Sequence, residues 1–141
     1  PKATELRVGI ETWLQAGNGA GGVIPFGGET PLRENLRTER TGIVVDAQAV
    51  ATRAEWEFPG ADPDKKPCTS AGAAFARGRS TDCSVTFWRH TNGVSSGRVT
   101  VTYNVTWAAT TGQQGQLEVP VTTPFDFEVR QLQAVGVPAT R

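Results

Sequence analysis

Residues 99–107 alternate without a break. Val99, Val101, Tyr103, Val105 and Trp107 fall on one side, and Thr100, Thr102, Asn104 and Thr106 on the other. Successive side chains of a β-strand point to opposite faces. This segment is therefore a half-buried antiparallel strand, its apolar row turned inward and its threonine row to water. One such strand is not stable alone. A chain that contains it has to supply partner strands and a second layer to cover the apolar row.

The rest of the sequence offers those partners. In residues 6–14, Leu6, Val8, Ile10, Thr12 and Leu14 share one face and Arg7, Glu11 and Trp13 the other, with Gly9 outside the pattern, so one strand is expected there. Residues 42–58 are β-rich. Ile43, Val44, Val45 and Val50 are followed by Ala54, Trp56 and Phe58 alternating with Arg53, Glu55 and Glu57. They read as two strands, or one strand bent near Ala51-Thr52, ended by Pro59-Gly60. Residues 84–90 form another strand, with Val85 and Phe87 opposed to Thr86 and Trp88, before an Asn92-Gly93 turn. A turn at residues 112–115 leads to a final strand over about 117–132, in which Phe125, Phe127 and Val129 oppose Asp126, Glu128 and Arg130. Pro120 and Pro124 assign that strand to a sheet edge or a bulge. Residues 31–39 are expected to form a short helical turn, because Pro31 suits a first helical position. Residues 17–28 are Gly-rich and expected to be a surface loop or arm.

About seven strands, many Gly and Pro turns and no amphipathic helix predict one all-β domain, an antiparallel sandwich with an irregular Gly-rich N-terminal segment. Its parts are 1–40 (strand and loop), 41–136 (sandwich) and 137–141 (tail). The length of 141 residues suits a single core.

Lys plus Arg and Asp plus Glu each number 14, and no basic run occurs, so the electrostatic footprint of a nucleic-acid binder is missing. No apolar stretch approaches the roughly 18 residues of a membrane span. The chain starts at Pro1 and contains no Met, which leads us to expect a processed, exported protein. Cys68 and Cys83 have 14 residues between them. A buried free thiol is the alternative to a disulfide, and the export-like composition favours the disulfide.

From 43 to 135 the features follow a particular order. A Val-rich strand leads to Arg53-Ala54-Glu55-Trp56-Glu57-Phe58-Pro59-Gly60, then Pro67-Cys68, then Cys83-Ser84-Val85-Thr86-Phe87-Trp88. The strand 98–107, the step Gly115-Gln116-Leu117 and the ending Gln131-Leu132-Gln133-Ala134-Val135-Gly136 complete it. This order resembles the C-terminal region of a group of actinobacterial secreted proteins of unassigned function, similar to polycystic-kidney-disease-type (PKD-like) immunoglobulin-like domains. PKD-like domains carry Trp-Asp-Phe-Gly-Asp-Gly where this chain has Trp56-Glu57-Phe58-Pro59-Gly60-Ala61-Asp62, so the Trp is kept and the turn is not. The resemblance implies a secreted β-sandwich used for binding, spacing or assembly, and no catalytic residues.

Candidate chemistry is sparse. The Gly-rich loop lacks the Gly-Lys-Ser/Thr ending of a phosphate loop. His90, the only His, pairs with a nucleophile only if Cys68 or Cys83 is a free thiol. Asp62 and Asp64, with Glu57 or Asp82, lack the ligand spacing of a calcium loop. Glu55 with Glu57, and Asp126 with Glu128, have same-face spacing that outer faces of sandwiches share with glycosidase pairs. The expectation is therefore a non-enzyme without cofactor or metal, secreted or at the cell surface. Its partner is another secreted or surface protein or a second copy, with polysaccharide as the alternative ligand. Trp13 and Trp88 are the candidate glycan or partner contacts, and Phe125 and Phe127 mark an edge that could accept a partner strand.

Overall fold

A computed structural model describes residues 4–17, 26, 32–37, 42–73 and 76–131. Within them the chain forms eight strands and no helix: β1 (Thr4–Arg7), β2 (Glu11–Trp13), β3 (Leu32–Arg37), β4 (Val44–Glu57), β5 (Lys65–Cys68), β6 (Ser84–Thr86), β7 (Ser95–Ala109) and β8 (Gln114–Arg130). The all-β expectation holds. The alternating segment lies inside β7, which pairs with β4 on one side and β8 on the other. The main sheet runs β1-β8-β7-β4-β3, with β5 also on β4, and β2 and β6 form a second, two-stranded sheet.

The main sheet is mixed rather than purely antiparallel, because β1 runs parallel to β8 from Thr4↔Phe127 to Arg7↔Arg130. The single strand expected over 6–14 is broken in two. Gly9 adopts φ 78, and the chain changes sheets there. Val8 N–H donates to Arg130 of the main sheet (3.0 Å), and Gly9 N–H donates to Phe87 of the opposite layer (2.8 Å). A left-handed residue at the corner is what glycine tolerates without steric cost. The helical turn expected over 31–39 is corrected too: β3 pairs antiparallel with β4 from Leu32↔Ala49 to Arg37↔Val44. The open edge of a long neighbour outweighs a local proline preference. The Gly-rich loop, apart from Gly17 and Phe26, and the tail 137–141 lie outside the described residues.

β4 is one continuous strand whose register shifts between Ala51 and Arg53, the position of the expected bend. The bulge changes the parity of the inward row. Ala47, Ala49 and Ala51 precede it at odd positions, and Ala54, Trp56 and Phe58 follow at even ones. An extra residue lets both sets face the same side.

The core lies between the β2–β6 layer and the part of the main sheet made by the second halves of β4 and β8 and the first half of β7. Phe58 is its centre, with ring centroids 4.9 Å from Phe87, 5.3 Å from Phe127 and 5.7 Å from Phe125. Leu14, Val85, Val101 and Val129 close around it. The disulfide Cys68–Cys83, Cα atoms 5.4 Å apart and both residues buried, links β5 to the start of β6 and so joins the two layers. Gly72 packs against this junction with φ +76. A Cβ there would lie 1.7 Å from the Leu14 carbonyl oxygen, so only glycine fits.

Candidate interaction surface

Register separates the two faces of the main sheet along its whole length. The rows Ala47–Trp107–Gly115, Ala49–Val105–Leu117, Ala51–Tyr103–Val119 and Ala54–Val101–Val121 lie on the inner face. Asp46, Gln48, Asn104, Thr106, Gln116 and Glu118 lie on the outer one. The outer face is a polar ladder. Gln116 Nε2 donates to Asn104 Oδ1 (2.9 Å), the hydroxyls of Thr100 and Thr122 are 2.9 Å apart, and Arg53 pairs with Glu118 (3.4 Å).

The inner face is mostly apolar, with Ser95, Tyr103 and Thr123 as its polar members on β7 and β8, and its two halves have different surroundings. The half bearing Ala54, Trp56, Phe125 and Phe127 is the core. The other half, residues 44–51, 103–109 and 114–121, extends past the β2–β6 layer. There Leu117 is 47 % and Val121 48 % exposed, with Val105, Trp107 and Val119 partly so. No charged side chain of β4, β7 or β8 lies on this part of the inner face. Trp107 lies across Gly115: a Cβ on Gly115 would meet the indole at 2.7–2.8 Å. Phe125 covers Gly97 in the same way, at 2.6–2.7 Å. These two aromatic–glycine pairs fix the β7–β8 register at both ends of the hairpin.

Phe125 and Phe127 turn towards the core: Phe127 is 0 % exposed, and the partly buried Phe125 meets Trp56 at a tilt and Phe58 edge-on. The β8 edge is indeed free of strand partners among the described residues over 114–126, but it is poorly suited to strand addition. Ala109 N–H donates to Gln113 (2.8 Å), so bonding to β7 alternates from there along the odd residues of β8. The even residues point their backbone groups outward, and Pro120 and Pro124 both occur in that row without an N–H. Trp88 is 68 % exposed, whereas Trp13 is partly buried and donates its indole N–H to Glu11 Oε1 (2.6 Å). Cys68 and Cys83 are disulfide-bonded, which removes the thiol that a Cys–His pair with His90 would need.

Several carboxylates are engaged by a single partner, whereas Glu5 (3.0 Å) and Glu128 meet on the Arg130 guanidinium and Glu5 also reaches Arg7 (3.2 Å). Glu57 takes two hydrogen bonds from the Arg98 guanidinium, which hold its carboxyl below the usual carboxylate range and raise Arg98 in turn. Glu55 faces Lys65 at 4.0 Å, Asp126 accepts from Ser96 (3.4 Å), and Glu128 contacts Arg130 (3.4 Å). Asp82 accepts from Ser70 (2.5 Å). Among the described residues no three His, Cys, Asp or Glu side chains are grouped as metal ligands. A shallow open groove of about 560 Å³ at the Trp107–Gly115 end of the sheet has Asp46 as its one carboxylate, beside Gln48, Gln114, Gln116, Thr106 and Trp107.

The residues sequence reasoning missed are Leu117, Val119 and Val121. Their alternation was visible, but Pro120 among them drew attention to the edge rather than the face. No protein-family model, no curated protein and no solved structure matches this chain.

Proposed function

We propose that this chain is a non-catalytic interaction module of a secreted or cell-surface assembly, acting through protein–protein contacts. The observation that carries the reading is the apolar inner face that continues past the core, with Leu117 and Val121 about half exposed. Contiguous exposed apolar surface of this kind marks interaction sites in folded proteins. The disulfide supports an oxidising compartment. Glu5 and Glu128 converge on the half-exposed Arg130 guanidinium rather than across a cleft, which supports a binding role over hydrolysis. Among the described residues Trp88, just after β6, is the one largely exposed aromatic ring, which favours protein contact over a glycan platform of two coplanar rings.

An immunoglobulin-like, PKD-like fold is part of the same proposal. What supports it is the strand order β8-β7-β4-β5, which follows the G-F-C-C′ sheet of such domains, with β2 and β6 in the positions of B and E. The Cys68–Cys83 bridge departs from the inter-sheet B–F disulfide of antibody domains, since it joins β5 to the start of β6.

The test is affinity capture from the producing organism's secreted and envelope proteins, with the disulfide-intact chain and a Leu117→Asp/Val121→Asp variant side by side. A protein recovered by the parent and lost with the variant supports the reading. Equal recovery by both, or no specific recovery, sinks it.

A further inference from the structure

Asn92 and Gly93 form an exposed bend just before β7. Among the described residues, neither the Asn92 carboxamide nor the Gly93 N–H has a hydrogen-bond partner. Gly93 has φ 78, and a Cβ placed on it would meet nothing within 4 Å, so the bend is open around it. With no side chain of its own, Gly93 leaves its nitrogen accessible to the neighbouring carboxamide. We infer that Asn92 is a self-modifying site, whose side chain closes on the Gly93 nitrogen and is converted to aspartate and isoaspartate. The Gly93 nitrogen attacks Asn92 Cγ. An N–Cγ bond forms, the Cγ–Nδ2 bond breaks, and the Gly93 amide proton leaves with Nδ2 as ammonia. Water then opens the imide ring and returns a proton to the Gly93 nitrogen. Addition of water at Cγ gives aspartate. Addition at the Asn92 main-chain carbonyl gives isoaspartate, in which the backbone runs on through Cβ and Cγ. No oxidant or reductant takes part, and either product adds a negative charge to a chain whose formal net charge is zero.

The other described asparagines lack this arrangement. Asn104 lies in the middle of β7, between β4 and β8, and its Oδ1 accepts from Gln116 Nε2 (2.9 Å). It is followed by Val105, whose branched side chain stiffens and crowds the backbone beside it. Asn35 lies in β3 and precedes Leu36. The position of Asn92 also gives its conversion a structural consequence. Thr91, buried next to the bend, donates its hydroxyl to the Gly93 carbonyl (2.7 Å). It also exchanges hydrogen bonds with the Val129 backbone (2.9 and 3.1 Å). Aspartate leaves the main chain between Thr91 and Gly93 unchanged. Isoaspartate inserts a methylene there, which displaces the acceptor of the Thr91 hydroxyl. The isoaspartyl form therefore loosens the attachment of the start of β7 to the end of β8, where Ser95 pairs with Phe127.

Peptide mapping of the disulfide-intact chain, aged at neutral and at mildly alkaline pH, reads the reaction. An Asn18→Gln background removes the other Asn-Gly pair. Asn92 should be converted at least about tenfold faster than Asn104, with isoaspartate among the products and a higher rate at the higher pH. Conversion no faster than at Asn104, or indifferent to pH, overturns the site. The isoaspartyl fraction, isolated by ion-exchange and reversed-phase chromatography, is then compared with the parent by hydrogen exchange. Amides of residues 95–97 and 127–129 should exchange at least about tenfold faster in that fraction. Asn92→Asp carries the same charge without the extra methylene and should exchange as the parent does. Exchange unchanged in the isoaspartyl fraction, or raised as much in Asn92→Asp, overturns the link through Thr91.

Discussion

At the scale of single residues, the polar groups at the end of the sandwich do as much to define the fold as the aromatics beneath them. Thr91 is buried, donates its backbone N–H to Val129 (2.9 Å) and its hydroxyl to Gly93 (2.7 Å), and accepts the Val129 N–H (3.1 Å). One side chain thus secures the turn before β7 onto β8, and its partners would be costly to leave unsatisfied. Trp56 is the exception: its buried indole N–H has no hydrogen-bond partner, so the ring is held there by its packing on Phe58 and Phe125. Glu57 and Arg98 give this scale its pH dependence. The folded pKa of Glu57 lies below its ordinary value of 4.5, chiefly through the hydrogen bonds from Arg98. The stabilisation is complete above that ordinary value and is lost as pH falls through the lowered one. Urea midpoints measured downward from pH 4.5 should therefore decline more steeply in the parent than in Glu57→Gln. Parallel declines would remove Glu57 as a contributor.

Among the elements, the Cys68–Cys83 link carries the clearest energetic statement. It closes a loop of sequence separation 15 and ties two layers whose other joins are hydrogen bonds from short segments. Replacing both cysteines by alanine should cost about 3 kcal/mol, read from urea unfolding, with the alkylation of reduced thiols in the parent appearing only once the core opens. A change below about 0.5 kcal/mol would mean that the layers are held without the bridge. Much at this scale was legible in the sequence. Unbroken alternation located β7, a bend near Ala51-Thr52 was one of two readings of residues 42–58, and Pro120 and Pro124 pointed to an edge or a bulge, of which the edge is found. What was not legible came from contacts between distant parts of the chain. Leu6 and Leu14 share a parity, so nothing local announced that Gly9 would divide them between two sheets. Residues 32–37 become a strand because β4 offers them an edge. Phe125 and Phe127 look available on a proline-bearing strand until both are seen to pack edge-on against Phe58. The apolar face around Leu117 escaped for the complementary reason: alternation says that a row is apolar, and only the short reach of the second layer says that it is uncovered.

Among the described residues the main sheet is long and the β2–β6 layer lies over one part of it. Stability should follow that asymmetry. Amides of β7 and β8 near Val101 and Phe127 lie inside the core, whereas those near the 110–113 turn have water on both sides of the sheet. Hydrogen exchange measured by mass spectrometry at low protein concentration should show a gradient, fast at the turn and slow by Val101. Exchange that is uniform along the hairpin would contradict the partial covering. At the opposite end, β1 lies parallel to β8, so the chain enters the pair beside Phe127 and leaves it beside Arg130. Tension applied along the polypeptide would pull these neighbours past one another, loading the hydrogen bonds of all four register pairs together instead of opening them in turn. Resistance to force is set by the barrier to unfolding rather than by equilibrium stability. Separating β1 from β8 by such a pull would therefore require these four pairs to give way together.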